Sequence, residues 1–305
     1  MEVGRVTAAM IGLGNLGGRM AVRLRDQGIA VVGFDVRPDR AGELGLAAAS
    51  SMREACRNEV VLLSLPSDAV IDEVILGAGG VRDCASPGTV AVDLSTASPA
   101  RTRERHEALA QRGIALLDVG VSGGPKAAES GTLSLIAGGD TSVIERVRPV
   151  LEAIGNRLFH VGGPGSGHAA KVLNNYLNGV NLAATAEAVV LGVRAGLDPR
   201  LLLEVLNAST GANWATANRF PSIIEGDYLE GGLSNDLMAK DLDLYLDLAR
   251  ENGAPALIGS TTRALFGVAI AIGYGGQVSN TVVDAIGDLA GGTRVQKPRS
   301  GEASS

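Results

Sequence analysis

The stretch GHAAKVLNNYLNGVNLAA, residues 167–184, sets a lysine and four asparagines into otherwise apolar helical sequence. Asparagine is a mediocre helix former because its amide competes for nearby backbone groups. Lys171, Asn174, Asn175, Asn178, Asn181 or Leu182, and Thr185 follow one another in steps that keep them on one helix face, joined by His168; Val172, Leu173, Tyr176, Leu177 and Val180 form an apolar face opposite, expected to be the buried one. Only four of the 27 basic residues are lysine: Lys126, Lys171, Lys240 and Lys297. A desolvated lysine can give up its proton, whereas arginine does not. A lysine kept on a polar stripe in an arginine-rich chain is therefore a candidate proton donor and acceptor, with Asn175 orienting the oxygen it serves and Asn174 beside it. The same residues also suit buried polar packing around a solvated lysine, and the pattern alone leaves both readings open.

Upstream, apolar runs at 6–13, 29–36, 59–66, 89–96, 114–122 and 133–139 alternate with helical segments. That alternation predicts a mostly parallel sheet covered on both faces. The first run ends in Gly12-Leu13-Gly14-Asn15-Leu16-Gly17 and opens a helix. Gly12 suits a tight turn, Gly14 the close approach of a pyrophosphate, and Gly17 helix-to-strand packing, so the turn is expected to hold a dinucleotide. Asp35, at the end of the second run, is placed to accept from the adenosine ribose and favours NAD over NADP, with NADP possible because Arg37 follows two positions later. Ligands lie over the carboxyl ends of strands in such sheets, which brings in Leu65, Pro66 and Thr96. Ser122-Gly123-Gly124, off the fifth run, offers consecutive backbone N–H groups to a small carboxylate. A nicotinamide nearby would give Lys171 a purpose, because hydride moving to or from a carbon bearing an oxygen requires a proton to move at that oxygen.

After residue 165 strand-like runs are absent. One helix of almost 30 residues is followed by helices at 199–208, about 236–252 and 255–272. The expected organisation is a Rossmann-type α/β domain over 1–165, an all-α substrate and dimerisation domain over 166–292 joined to it by that long helix, and a loose tail over 293–305. The catalytic stripe would line a cleft between the domains. A net charge of −6 and a pI near 5.2 argue against nucleic acid. Two cysteines argue for a reducing cytoplasm and inert thiols. No run suggests a membrane helix by its length, and no metal-ligand cluster is evident. Trp214 and Phe220, rare aromatics in this chain, are expected to line the cleft or to pack in the core.

The blocks IGLGNLGGRMA, DLSTASP, DVGVSGGPKAAESGTLSLIAGG, GSGHAAKVLNN and LMAKDLDL occur in an order, and at separations, that resemble the β-hydroxyacid dehydrogenase family, which includes 3-hydroxyisobutyrate dehydrogenase and tartronate semialdehyde reductase. The likeness spans residues 6–250. It implies Lys171 as the catalytic lysine with Asn175 as its substrate-orienting partner. It implies Ser122, Gly123 and Gly124 as the carboxylate cradle; Trp214, as a rare aromatic, is a further candidate for the substrate site. Leu65, Pro66, Thr96 and Lys240 would join the dinucleotide site, and the helical domain would form a homodimer or homotetramer. The implied reaction is hydride transfer between NAD(P) and a small 3-hydroxy acid or its semialdehyde. An imine reductase-like enzyme and a non-catalytic binding protein of the same fold are the alternatives, both expected to lack the lysine. His168 stands where glutamine is usual, Gln277 where an acid is common. Lys126, beside the cradle, suits either a second anionic group on the substrate or plain solvation.

Overall fold

Branched, unbroken apolar runs such as VVLL and VAVD suit strands covered on both sides, and the structure places them at the centre of a sheet. This structure, a computed structural model, describes residues 7–229 and 232–296. The chain divides into two units, Met1–Val172 and Leu173–Ser305. The first unit runs β1 (Thr7–Ile11), α1 (Gly17–Asp26), β2 (Ala30–Phe34), α2 (Arg40–Glu43), β3 (Ala47–Ala48), α3 (Met52–Ala55), β4 (Val60–Leu63), α4 (Asp68–Leu76), α5 (Val81–Cys84), β5 (Val90–Asp93), α6 (Pro99–Ala110), β6 (Ala115–Ser122), α7 (Gly124–Ser130), β7 (Leu133–Gly138), α8 (Thr141–Ile154), β8 (Gly155–Gly162) and the start of α9 (Ser166–Arg194).

The eight strands order as β3-β2-β1-β4-β5-β6-β7-β8. All neighbours are parallel except β6 and β7, which pair antiparallel from Asp118↔Gly138 to Ser122↔Ser134. Alternate strand residues enter different cores: Ala8, Met10, Val60, Leu62, Val90 and Val92 face one, Ala9, Ile11, Val61, Leu63 and Ala91 the other. That is the period of two expected of a sheet with helices on both faces. Two strands lie outside the sequence expectation. β3 has only two residues, and β8 reads GNRLFHVG, interrupted by Asn156, Arg157 and His160 and mostly exposed, as an edge strand is.

The second unit comprises the rest of α9 with α10 (Pro199–Asn207), α11 (Trp214–Asn218), α12 (Phe220–Glu225), α13 (Asn235–Glu251), α14 (Leu257–Ala269, continued by a π-turn to Tyr274) and α15 (Val282–Leu289). Its core gathers Leu182, Ala186, Val190, Phe220, Met238, Leu242, Phe266 and Val282. Tyr176 of α9 stacks on Tyr245 of α13 with ring centroids 3.8 Å apart, a parallel aromatic contact that adds to area burial.

Three expectations need correction. The long helix does not bury its apolar face as a whole: Leu173 and Leu177 are exposed, while Lys171, Asn175, Leu182 and Thr185 are buried. Phe220 takes the second of its two expected places, in the core. Helices α9 and the Leu257–Tyr274 segment are, by length and composition, long and apolar enough to cross a membrane. The tail does not begin at 293: Val295 packs in the second core, and Gln296 donates to the Tyr228 hydroxyl at 2.6 Å and to Asp284 at 2.8 Å. The remainder of that tail, 297–305, lies outside the described residues.

Helices α4 and α6, which follow the strand ends of β4 and β5, are held together by a buried ion cluster. Arg105, fully enclosed, donates from Nε to Asp72 at 2.7 Å and from Nη2 to Asp68 at 2.6 Å, and Asp68 also accepts from the Ser98 N–H at 3.0 Å. Removing one partner of such a cluster strands the others. Arg105→Ala is expected to lower the free energy of unfolding by about 3 kcal/mol, read from the urea midpoint at unchanged slope; a shift under a third of that would show the cluster to be dispensable.

Candidate active site

The glycine turn is shaped by close packing. Gly12 sits at φ 88°, and a Cβ there would strike the Ser64 carbonyl; a Cβ at Gly17 would strike the Gly12 carbonyl. Gly14 differs, since a Cβ there would meet no atom within 4 Å. The protein's own packing thus demands Gly12 and Gly17, and leaves the backbone at Gly14 open to an incoming group, which fits a pyrophosphate. Leu13 is buried, Asn15 exposed and Leu16 packed against the first core. Asp35 accepts the Leu13 N–H at 2.7 Å and the Arg37 N–H at 2.9 Å, one on each carboxylate oxygen. Each oxygen keeps a further acceptor position, so the carboxylate braces the turn and can still bind a ribose hydroxyl. These residues fit an adenine dinucleotide.

The ends of β4 and β5 are coupled. Asp93 accepts the Ser95 N–H at 3.0 Å, and the Ser95 hydroxyl accepts the Leu65 N–H at 3.0 Å. Leu65 is half-buried, Pro66 exposed and Thr96 half-buried, so this relay fixes the two loops that carry them. The relay is not visible in sequence, because Asp93 reads simply as the last residue of an apolar strand.

At the end of β6, Gly123 and Gly124 take φ of 134° and 72°, values that side-chain-bearing residues avoid. Gly123 precedes α7 with no side-chain cap, so the first amides of that turn have no side-chain acceptor. Ser122 is half-buried beside them, and Lys126 is exposed on α7.

Lys171 is buried, with 8 % of its surface exposed. A Cβ on Gly120 of β6 would lie 2.5 Å from the Lys171 Cβ, so only glycine lets the lysine stem lie against this strand. The helix carrying it is pinned by Asp118, a fully buried carboxylate one pleat back on β6. Its two oxygens accept the Gly165 N–H at 2.9 Å and the His168 N–H at 2.8 Å, satisfying donors that a helix start leaves unpaired and placing negative charge at the positive end of its dipole. Gly167 and Gly138 allow this approach, since a Cβ on Gly138 would meet the Asp118 carboxylate at 2.7 Å and one on Gly167 would strike the Asp118 carbonyl. His168 is fully enclosed, bonded through Nδ1 to the Thr102 hydroxyl (2.7 Å) and through Nε2 to the Asp93 carbonyl (3.3 Å), and is a second pin for α9.

In the second unit, Asn175 donates from Nδ2 to Asp241 at 2.5 Å, and its Oδ1 accepts from Asn174 at 3.3 Å. Asp241, almost fully buried, also pairs with Lys240 at 3.0 Å. Asn175 therefore anchors an Asp241–Lys240 pair, and Asp241 is a residue that sequence pattern does not single out, although it adjoins one of the four lysines. Asn174 is exposed on α9. Trp214, 58 % exposed, opens α11 and lies 5.5 Å from the Arg219 guanidinium. Among the described residues no group of three or more His, Cys, Asp and Glu side chains could hold a metal ion. Cys56 and Cys84 are free thiols, and burial pushes Cys56 up to about 12.

A doubly wound sheet carrying this glycine turn and acidic strand end defines a dinucleotide-binding oxidoreductase. Residues 7–162 match the model of the NAD-binding domain of 6-phosphogluconate dehydrogenase, and residues 165–286 that of the NAD-binding domain of NADP-dependent 3-hydroxyisobutyrate dehydrogenase. The chain is 34% identical over 290 residues to 2-(hydroxymethyl)glutarate dehydrogenase of Eubacterium barkeri, covering 94% of this chain and 96% of that one. It is 40% identical over 268 residues to 3-hydroxyisobutyrate dehydrogenase of Pseudomonas aeruginosa, covering 85% and 90%. The structure superposes on Mycobacterium tuberculosis 3-hydroxyisobutyrate dehydrogenase with L-serine at a TM-score of 0.84 and 34% identity, over 92% of this chain and 99% of that one. The chain belongs to the β-hydroxyacid dehydrogenase family and is an NAD(P)-dependent oxidoreductase.

The helix clamp predicts its own measurement. Asp118→Ala removes both acceptors and leaves two N–H groups buried, at roughly 1–3 kcal/mol for each orphaned group. We expect a stability loss of about 3 kcal/mol in urea unfolding, together with faster amide exchange at the first turn of α9; unaltered exchange there would show that the carboxylate does not hold the helix.

Proposed function

We propose that the protein oxidises a small 3-hydroxy acid, or reduces the matching semialdehyde, with Lys171 as the general acid and base. The observation that carries this reading is a buried lysine whose stem lies against a glycine strand, on a helix start locked by Asp118 and His168. Bound nicotinamide supplies the hydride acceptor. In the oxidation direction, the Lys171 amine takes the hydroxyl proton as hydride leaves the adjacent carbon; in the reverse direction its ammonium returns that proton to the carbonyl oxygen. Such a group contributes roughly 10²–10⁴-fold to rate. Asn175, with Asn174 beside it, orients the substrate oxygen, and its bond to Asp241 fixes the amide in one rotamer.

The remaining assignments follow the same reading. Ser122, Gly123 and Gly124 hold the substrate carboxylate through backbone N–H groups, and Trp214 walls the substrate site. Gly12, Leu13, Gly14, Asn15, Leu16 and Gly17 take the pyrophosphate, Asp35 the adenosine ribose, and Leu65, Pro66, Thr96 and Lys240 the rest of the dinucleotide. Asp35 favours NAD over NADP, since a 2′-phosphate would meet a carboxylate. The N-terminal unit is the dinucleotide-binding domain, and the helical unit serves substrate binding and assembly into a homodimer or homotetramer. Exposed apolar side chains on α10 and α14, among them Leu201, Val205, Leu257 and Ile258, support that assembly. Two free thiols suit the cytoplasm.

Lys171→Ala is expected to lower kcat/KM on 3-hydroxyisobutyrate by at least ~10² while NAD affinity, measured by fluorescence titration, changes little. Turnover near the wild-type rate would remove the lysine from the mechanism. Asp35→Ala is expected to narrow the preference for NAD over NADP by roughly tenfold or more, read as the ratio of the two kcat/KM values; an unmoved ratio would take the ribose role away from Asp35.

A further inference from the structure

Two buried carboxylates stand side by side under the start of α9. Asp93, the last residue of β5, and Asp118 of β6 are register partners in neighbouring parallel strands, and each is 1 % exposed. Residues in register point to the same face of a sheet, and like charges so placed repel one another. Asp118 is provided with donors, the N–H groups of Gly165 and His168. Asp93 is served less well: Oδ1 accepts the Ser95 N–H at 3.0 Å, and Oδ2 is enclosed with no hydrogen-bond partner. A carboxylate buried that far from water is costly unless a cation stands by it. The ring of His168, itself fully enclosed, faces that oxygen, with Nε2 4.0 Å from Oδ2.

The bonds around the ring count its hydrogens. Thr102 of α6 directs its single hydroxyl hydrogen to the Ser98 carbonyl, four residues back, at 2.9 Å. The same hydroxyl oxygen lies 2.7 Å from His168 Nδ1, so Nδ1 is the donor there and carries a hydrogen. Nε2 meets the Asp93 carbonyl at 3.3 Å and the Asp93 carboxylate beyond it. Both are acceptors, so Nε2 is a donor as well. A ring with hydrogens on both nitrogens is an imidazolium. The other charged groups around it are Asp118 on β6, Lys171 one turn further along α9, and the exposed Arg103 of α6, whose guanidinium lies against Gly165.

We propose that His168 is a positioning residue held in the fold as an imidazolium, the counter-charge of Asp93 and Asp118, and that this fixed charge leaves Lys171 free to give up its proton. The inference rests on the reading of Lys171 as general acid and base. The lysine stem lies against Gly120, two residues along β6 from Asp118. With a neutral side chain at position 168, the two carboxylates would draw on the charge of Lys171 and hold its amine protonated. A protonated amine cannot take the hydroxyl proton of a substrate. With His168 charged, the balance of this buried cluster no longer depends on the lysine, which can pass between amine and ammonium. The same ring also reaches the loops that follow β4 and β5, because Asp93 continues through Ser95 to the Leu65 N–H.

The chain has three histidines, so solid-state nitrogen NMR of enzyme isotopically labelled only at histidine resolves each ring, and His168→Gln identifies the signals of His168. At about pH 7.5, where an unpaired histidine is mostly neutral, both His168 nitrogens are expected to resonate as N–H. A bare ring nitrogen would show a neutral histidine that accepts the Thr102 hydroxyl, and would overturn the proposal. Asp93→Asn keeps an oxygen for the Ser95 N–H and removes the charge; it should turn the ring neutral, and a ring still doubly protonated there would break the pairing. Kinetics read the consequence for Lys171. His168→Gln keeps a neutral amide donor for the Asp93 carbonyl. In this variant the pH of half-maximal kcat for oxidation of 3-hydroxyisobutyrate is expected to rise by about one unit, with most of the rate recovered at high pH. A uniform loss at every pH with an unmoved midpoint would mark His168 as packing alone and overturn its link to the lysine. Should His168→Gln fail to fold, His106→Gln and His160→Gln assign the ring by difference, and the ring charge decides. If Lys171→Ala turned over like the wild type, the lysine reading would fall by itself, while the ring charge, read without turnover, would still decide whether His168 and Asp93 form the pair.

Discussion

Everything about the position of Lys171 traces back to a single carboxylate. Asp118 is buried at the first turn of α9, and its oxygens take the N–H groups of Gly165 and His168. Burying a charge is costly unless it is hydrogen-bonded; here the helix supplies the donors, and the helix in turn loses two unpaired N–H groups. The arrangement works only at close range, which explains three glycines at once. Gly138 and Gly167 let the helix start approach the carboxylate, and Gly120, two residues along β6, lets the Lys171 stem lie on the strand. A strand, a helix end and a lysine are thereby set in one rigid relation before any ligand arrives.

The asparagines of α9 acquire separate explanations from this geometry. Asn175 donates to Asp241 and Asn178 accepts from Arg219, each through its side-chain amide. An amide can both donate and accept, so one residue type meets a carboxylate at one turn and a guanidinium at the next. An acid or a base on this stripe would serve only one of those partners. The helix propensity lost at these positions is small, a few tenths of a kcal/mol each by order of magnitude, against bonds that locate α13 and the start of α12.

Much of the frame was legible because it depends on local pattern. Six apolar runs, the glycine turn with Asp35, and the long helix all follow from residue type and spacing. β3 and β8 escaped because a two-residue strand has no period and an exposed edge strand has no apolar alternation. The short helices α11, α12 and α15 escaped for a similar reason: their starts are set by the Asn213–Thr216 capping box and by packing more than by periodicity. The assignment of faces on α9 failed where composition misled. Leu173 and Leu177 are exposed while Lys171 and Asn175 are buried, because partners that sequence spacing does not reveal, Gly120 for one and Asp241 for the other, outweigh hydrophobicity. Asp118, Asp93 and Asp241 read in sequence as ordinary acids, and only tertiary contact separates them from the surface carboxylates.

Two arginines show two ways of holding a guanidinium in place. Arg105 is enclosed with two carboxylates and a bond to the Asp68 carbonyl, so its charge is compensated within the fold. Among the described residues, Arg219 is held by amide and hydroxyl oxygens, which orient a guanidinium without neutralising it. Replacing one of those neutral partners with an acid would have stabilised the folded chain more effectively, since hydrogen bonds between charged groups are stronger than those to neutral ones. Sequences tend to break such local rules where a site must answer to something other than folding.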